Sequence, residues 1–452
     1  MVNSTKIKSD ENYPAEATGI KNIFRALRYR NYRLFFGGQS ISLIGTWMQQ
    51  VAMGWLVYRL TNSAFLLGLV GFAGQLPVFI FAPFMGVLSD RWNRHRVLIG
   101  TQASAMIQAA LLTILSLTEY IQVWHIIILS ILLGLINSLD APTRQSFVID
   151  MVEKKEDLGN AIALNSSMFN SARLIGPSIA GIIISISGEW LCFLLNAISY
   201  LAVIISLLVM NITPRKIEVG SAKILHNLKE GFSYAFASKP IRTLILLLGL
   251  VSLMGMPYVV LMPIIAKDIL HGGPHTLGFL MASAGIGALT AAIYLASRRS
   301  VRGLVRIIPM AAGAFGFSLF MFSLSRYLPL SLGLMMLIGF GMMMQIASSN
   351  TVLQTIVDDD KRGRVMSFYT MAFMGTAPFG SLLAGSLASK IGAPHTIMIG
   401  GVLCILGAII FARNLPSLRR MIRPIYIQKG VIPAMPSGLG TGAAEISLPP
   451  KD

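Results

Sequence analysis

Arg173 stands in the middle of an apolar run, with no Asp or Glu between Asp157 and Glu189. If that run is a helix beginning near residue 161, the guanidinium lies about 12 residues in, roughly 18 Å deep at ~1.5 Å per residue. A permanent cation at that depth of a bilayer costs about 2.5–3.5 kcal/mol even on lenient scales. It therefore faces water, binds an anionic or polar ligand, or is satisfied by helix carbonyls and a polar neighbouring helix. Asn165 and Phe169 precede it at steps of four and share its face. Gln39, Ser42, Thr46 and Gln49 recur at steps of three and four, forming one polar stripe. Both faces are expected to line a central cavity that Asn137 extends, with bonding between helices as the alternative. Further along, Met335, Met336, Met342, Met343 and Met344 crowd one stretch, followed by Gln345 and Ser348, and Tyr369 and Phe373 lie beyond. Pliable methionines with aromatic rings suit a pocket that adapts to several apolar shapes, although for most of the methionines lipid contact or core filling is the favoured reading. Together these residues describe a site for a small amphiphile with an anionic or hydrogen-bonding part and an aromatic or acyl part.

The elements that must position these groups are membrane helices. Hydrophobic residues make up 54% of the chain and charged ones 12%, which excludes an ordinary soluble protein. Twelve spans are predicted at 34–58, 65–89, 97–118, 123–142, 161–187, 190–210, 241–266, 275–297, 307–325, 329–350, 365–389 and 394–412. Most are long enough to cross a hydrocarbon core of about 30 Å. With the N-terminus inside, 32 of the 37 Lys and Arg fall in the termini or in loops after even-numbered spans. That is a positive-inside bias, so both termini are expected in the cytoplasm. The net charge of +18 then reports orientation, and nucleic acid is excluded as a partner. Cys192 and Cys404 fall inside spans and read as structural thiols. No Cys/His cluster has metal-ligand spacing and no phosphate-binding Gly-rich loop occurs, so no metal, cofactor or ATP hydrolysis is expected.

The spans divide into two sets of six, 34–210 and 241–412, joined by a connector over 211–240. Residues 1–33 and 413–452 form cytoplasmic ends, the latter expected to be largely disordered. An offset of 204 superposes 146–181 on 350–385, so that Gly159, Gly176 and Gly181 fall on Gly363, Gly380 and Gly385. Arg94-His95 falls likewise on Arg298-Arg299, and Arg173 falls on Ala377. Apolar residues at 225, 228, 232 and 236, and again at Ile20, Ile23, Phe24 and Leu27, predict amphipathic helices lying on the membrane surface.

Between the second and third spans runs Gly86-Val-Leu-Ser-Asp-Arg-Trp-Asn-Arg-His-Arg96. This Gly-x-Leu-x-Asp-Arg pattern, followed by Arg-x-Arg, resembles the loop signature of the major facilitator superfamily. Three further stretches are similar to its enterobactin-type siderophore exporter and macrolide efflux branch: 45–58, Asp140-Ala-Pro-Thr-Arg-Gln-Ser-Phe147, and Asn170-Ser-Ala-Arg-Leu-Ile-Gly-Pro177 with Gly181. The resemblance covers about 20–415. It implies an all-α membrane protein of twelve transmembrane helices in two six-helix halves around a midplane site. Also implied are a latch made by Asp90, Arg91, Arg94 and Arg144 in the outward-open state, and an antiporter-type Gly176-Pro177-Gly181 motif that favours export. Proton-coupled relatives often carry an Arg in the fourth span, where this chain has Ser130 and Ile131. Asp140, the only acid inside a predicted span, lies four residues before Arg144; it is either a proton-coupling group or half of a static pair. The expected function is secondary export across a bacterial inner membrane, not enzymatic catalysis, with a siderophore as favoured substrate. Multidrug or macrolide efflux, lysophospholipid flipping and a non-transporting sensor or scaffold are the alternatives. Expected partners are that small molecule, protons and membrane lipid; an outer-membrane channel is not readable from the residues.

Overall fold

The computed structural model describes residues 24–212, 233–298, 300–358 and 361–429; the side chains of 82, 83, 86–91 and 155 fall outside the described set. Apolar runs this long cannot leave backbone amides unbonded in lipid, and helices satisfy every one internally. Only helices occur among the described residues. The first six are α1 (Arg30–Thr61), α2 (Ala64–Arg91), α3 (Arg94–Leu117), α4 (Val123–Met151), α5 (Lys155–Ser187) and α6 (Glu189–Val209). Next comes α7 (Lys239–Ile269), which passes through π-helical turns at Val251–Gly255 and Ile265–Ile269. It is followed by α8 (Pro274–Ala296), α9 (Leu304–Leu324) and α10 (Leu328–Ile356). Last are α11 (Arg362–Ile391), with a π turn at Met371–Gly375, and α12 (Ala393–Gln428). Eleven of these are long and apolar enough to cross a membrane. The twelfth, α1, has the length, 32 residues, but its glutamines dilute its apolar character.

Local chemistry sets the turns. Ser63 caps α2 by accepting from the Leu66 amide at 3.3 Å, and Asn93 caps α3 by accepting from Arg96 at 3.2 Å. Gly188, between α5 and α6, has φ 87° and ψ 176°; Gly392, between α11 and α12, has φ 85° and ψ 156°. These two glycines lie 204 residues apart and hold a conformation essentially reserved for glycine.

The duplication is also visible in the packing. In the first half α1 packs on α6, α2 on α4, and α3 on both α4 and α6; in the second, α7 packs on α12, α8 on α10, and α9 on α10 and α12. The halves meet along two seams, α5 with α8 and α2 with α11. With twelve helices running alternately up and down, residues 24 and 429, the first and last described, lie at the same end of the bundle, called here the terminal end.

Two helices outrun their predicted ends by nine residues or more. α4 continues past Pro142 to Met151, because Phe147, Val148 and Met151 are buried in a cluster with Tyr32, Phe35, Leu98 and Leu207. α12 continues to Gln428, so residues 413–428, the first part of the expected cytoplasmic tail, prolong the last helix. Leu418, Ile422 and Tyr426, four residues apart, bury one face of that extension in the main core cluster. Burial outweighs the hydrogen bonds lost at Pro416 and Pro424. The expected surface helices lie largely outside the described residues. Arg25–Arg28 forms a 3₁₀ turn fastened to the start of α5, where Arg28 and Tyr29 both bond Asp157 and the Ala26 amide donates to Asn160 at 2.9 Å. Replacing Gly188 or Gly392 by Ala is expected to cost about 1–3 kcal/mol. Thermal unfolding in detergent checks this, and unchanged midpoints would contradict it.

Candidate functional site

Steric closeness, rather than charge, holds the seams together. A Cβ on Gly181 would lie 2.8 Å from the Pro274 carbonyl and 3.0 Å from the Gly278 Cα. On the other seam, a Cβ on Gly385 would lie 2.7 Å from the Gly68 Cα. Gly181 and Gly385 are equivalent in the duplication, so the same glycine makes both backbone-to-backbone contacts. Beside them, at the end of the bundle opposite the termini, polar groups bridge the halves. Tyr58 donates to Asp268, Lys267 donates to Asn62 at 2.8 Å, and Ser185 meets His275 at 3.5 Å. The Lys267 ammonium also lies 5.3 Å from the centre of the Tyr58 ring. This end is closed. The sequence reading missed all six residues; its only pointer was Lys267, one of few cations outside the basic end.

Arg173 sits where the seams reach the middle of the bundle. Its guanidinium carbon lies 5.8 Å from the Trp47 ring centre in α1, and Nη2 reaches the Met342 sulfur in α10 at 4.0 Å. Phe169, half exposed, packs edge-on against Trp47 at 5.7 Å. Arg173 therefore touches both halves, and among the described residues no carboxylate pairs with it. Gly176 makes this possible, because a Cβ there would lie 2.5 Å from the Trp47 Cβ and 2.9 Å from the Ile44 carbonyl. The carbonyl of Pro177 lies against Gly278, so the Gly176-Pro177-Gly181 motif forms the α1–α5 and α5–α8 crossings. Trp47 is the site residue that periodicity did not reveal.

The polar stripe of α1 points elsewhere. Gln49 donates to Gln108 of α3 at 3.1 Å and accepts from Asn196 of α6 at 2.8 Å. Gly38 and Gly45, on the same side, press against α6, while Thr46 donates back to the Ser42 carbonyl of its own helix at 2.9 Å. Gln39, Ser42 and Gln49 are all buried. The expectation of a cavity-lining stripe is corrected at Gln49, which bonds α1 to helices of its own half, as polar groups in lipid do when a neighbour offers a partner. Asn165 accepts from Tyr32 at 3.0 Å, which likewise ties α5 to α1. Tyr369 spends its hydroxyl on the Ile346 carbonyl at 2.9 Å. The Phe373 carbonyl, inside the π turn of α11, accepts from Ser252 inside the π turn of α7. Gln345 is fully buried and both its polar atoms lack a partner, as do the hydroxyls of Ser348 and Ser349. Asn137 is exposed on α4, seven residues from Arg144 and so on the same face.

At the terminal end, each half carries polar contacts of its own. Asp140 accepts from Thr101 and Gln102, each at 2.8 Å, and lies 3.3 Å from Arg144. Arg94 pairs with Asp150 at 3.3 Å. In the second half, Tyr234 donates to Asp358 at 3.0 Å and Lys429 to the Val357 carbonyl at 2.9 Å. The side chains of Asp90 and Arg91 lie outside the described set. Cys192 and Cys404 are free and buried, and no His/Cys/Asp/Glu group that could hold a metal occurs among the described residues.

The model of a family described as transmembrane secretion effectors matches residues 22–422. A staphyloferrin A transporter of Staphylococcus aureus is 26% identical, covering 84% of this chain and 95% of that protein. Macrolide efflux protein A of Streptococcus pyogenes is 23% identical, covering 85% and 96%. An enterobactin exporter of Shigella boydii is 25% identical, covering 83% and 91%. Among solved structures, a bacterial homologue of the iron transporter ferroportin in an inward-facing state superposes with a TM-score of 0.64 at 15% identity. It covers 85% of this chain and 98% of that one, a likeness of fold alone.

Two substitutions separate packing from gating. Gln49→Leu is expected to lose about 1–2 kcal/mol of stability, the worth of its bonds in lipid, with ligand affinity unchanged. Reduced affinity in a variant of full stability would return Gln49 to the cavity. Gly181→Leu is expected to spread the closed end, so a cysteine at Ser381, buried at the other seam, gains reactivity toward a membrane-impermeant maleimide. Native thiols add little background, and unchanged labelling would show that the seams move independently.

Proposed function

We propose, starting from the fact that this chain belongs to the transmembrane secretion effector family of the major facilitator superfamily, that it exports a small amphiphilic metabolite by alternating access. Transporters of this kind move a solute across a multi-pass membrane domain and make no covalent change to it. The observation that carries the reading is the place of Arg173: a cation between the halves, framed by Trp47, Phe169 and Met342, with no carboxylate paired to it among the described residues. Such a frame fits an anionic or acceptor-rich group against the guanidinium and a flat or apolar part against the rings and sulfur. An iron-chelating siderophore has that composition, and the staphyloferrin and enterobactin relatives support the choice. The macrolide efflux relatives, with the methionines of α10, favour a hydrophobic drug as the second reading.

In the proposed cycle, residues 34–210 rock against 241–412. With both termini in the cytoplasm of a bacterial cell, the closed end faces outward and the site loads from inside. Outward opening breaks the Tyr58–Asp268 and Asn62–Lys267 contacts and separates the glycine seams. The Asp90, Arg91, Arg94 and Arg144 latch then forms at the terminal end. Proton antiport rests on Asp140, whose carboxylate takes up a proton when Arg144 leaves it for the latch. Gln345, Ser348 and Ser349 offer further bonding groups on α10.

Arg173→Ala is expected to abolish export with surface expression and unfolding temperature near those of the wild type; loss of folded protein in parallel would sink the ligand-contact role. Asp140→Asn is expected to leave binding intact and make transport indifferent to a pH gradient, measured in proteoliposomes. Normal gradient-driven transport by that variant would remove Asp140 as the coupling group. For the substrate, untargeted mass spectrometry of cells and medium under iron limitation, with and without this chain, decides. A chelator trapped in deletion cells supports siderophore export, whereas unchanged metabolites with new drug susceptibility favour efflux.

A further inference from the structure

On the outer wall of the second half, away from the cavity, the extension of α12 passes over the beginning of α9. Arg302 and Arg306 stand at the start of α9, and Arg419, Arg420 and Arg423 on the α12 extension; with Tyr426 they line a cleft of about 490 Å³. Cations so close repel one another, and no carboxylate is paired with Arg306, Arg419, Arg420 or Arg423 among the described residues. The Tyr426 side chain is 5% exposed, and its buried hydroxyl has no hydrogen-bond partner. A buried phenol left this way costs stability unless something accepts from it. The first turn of α9, a helix of 21 residues, brings the positive end of its dipole to the same cleft. Everything here awaits an anion with acceptor oxygens.

The apolar surroundings identify the source of that anion. Arg306, Met310, Phe317 and Leu324 are all exposed and share one face of α9 at steps of four and seven. From the cleft, therefore, an apolar column runs along a membrane-crossing helix. A free phosphate has no use for that column, whereas a phospholipid places its phosphate in the cleft and an acyl chain along the helix. We infer that this cleft is a binding site for the head group of an anionic phospholipid. Guanidinium forks grip the phosphate oxygens, Tyr426 donates to one of them, and Met310 and Phe317 carry the chain. The site is independent of the transport reading, since it shares no residue with the frame around Arg173.

The test uses the full chain in nanodiscs of phosphatidylcholine, with or without a minor fraction of phosphatidylglycerol or cardiolipin. Native mass spectrometry counts the lipid retained, and thermal unfolding reads the stabilisation. Anionic lipid is expected to stay bound and raise the unfolding midpoint. Arg306→Gln, Arg419→Gln and Arg423→Gln are each expected to weaken retention about fivefold, ~1 kcal/mol per cation. Tyr426→Phe, which keeps every charge, is expected to weaken it less while folding normally, so a misfolded arginine variant does not decide the outcome. Equal retention of phosphatidylcholine and anionic lipid by the wild type would overturn the proposal. So would a midpoint raised as much by inorganic phosphate as by anionic lipid, which would assign the cleft to a soluble anion.

Discussion

The approach of two pairs of helix backbones, Gly181 against Gly278 and Gly68 against Gly385, is the contact on which the rest of the molecule depends. In lipid there is no hydrophobic gain from pressing one helix on another, so association rests on van der Waals fit and on small residues that permit it. Larger side chains at these points would hold the halves apart. With the seams closed, α5 and α10 come near enough for Arg173 to touch Met342, and α1 and α7 near enough for Tyr58 to reach Asp268. The site is thus a product of the seams.

The energetics of closure follow from this division. The polar bridges at the closed end involve water-accessible groups, and exposed contacts of that kind are weak and easily exchanged for water. Glycine packing is lost only by displacing whole helices. Fit therefore supplies the holding force, and the bridges supply register. Arg173 works the other way, since a cation without a counter-charge is disfavoured in a dry, closed centre. A bound anion offsets that penalty, which couples occupancy to the balance between states.

Much of this was legible in the residues, because membrane helices are written in long apolar runs that periodicity cannot blur. Ten of the twelve spans begin and end within six residues of their prediction; α4 and α12 overran further because prolines and charges there read as stops, while burial of Phe147 or of Leu418 and Ile422 kept the helix going. The depth of Arg173 and the equivalence of Gly181 and Gly385 were visible too. Hidden from the sequence was the direction of a polar face. Gln49 has the same spacing whether it faces water or Gln108 and Asn196, and only the neighbouring helices decide. Trp47 was missed for the same reason: an aromatic in an apolar run has no periodic signature until its partners in α5 are placed.

At the single offset of 204, residues 146–188 of the first copy fall on 350–392 of the second, yet the two stretches are not wound alike. α5 is continuous α-helix over the residues that match the π turn at Met371–Gly375 in α11. The repeat has therefore diverged by changing the pitch of one copy, with neither copy gaining or losing a residue. Because a π turn uses more residues per revolution, side chains beyond it point in new directions while the ends of the helix keep their places along the chain. A duplicated transporter can thus carve two unlike walls, one bearing a cation and the other a wide turn that opens a carbonyl to Ser252, from templates of identical length. An alignment that finds no insertion between the halves is blind to this kind of inheritance.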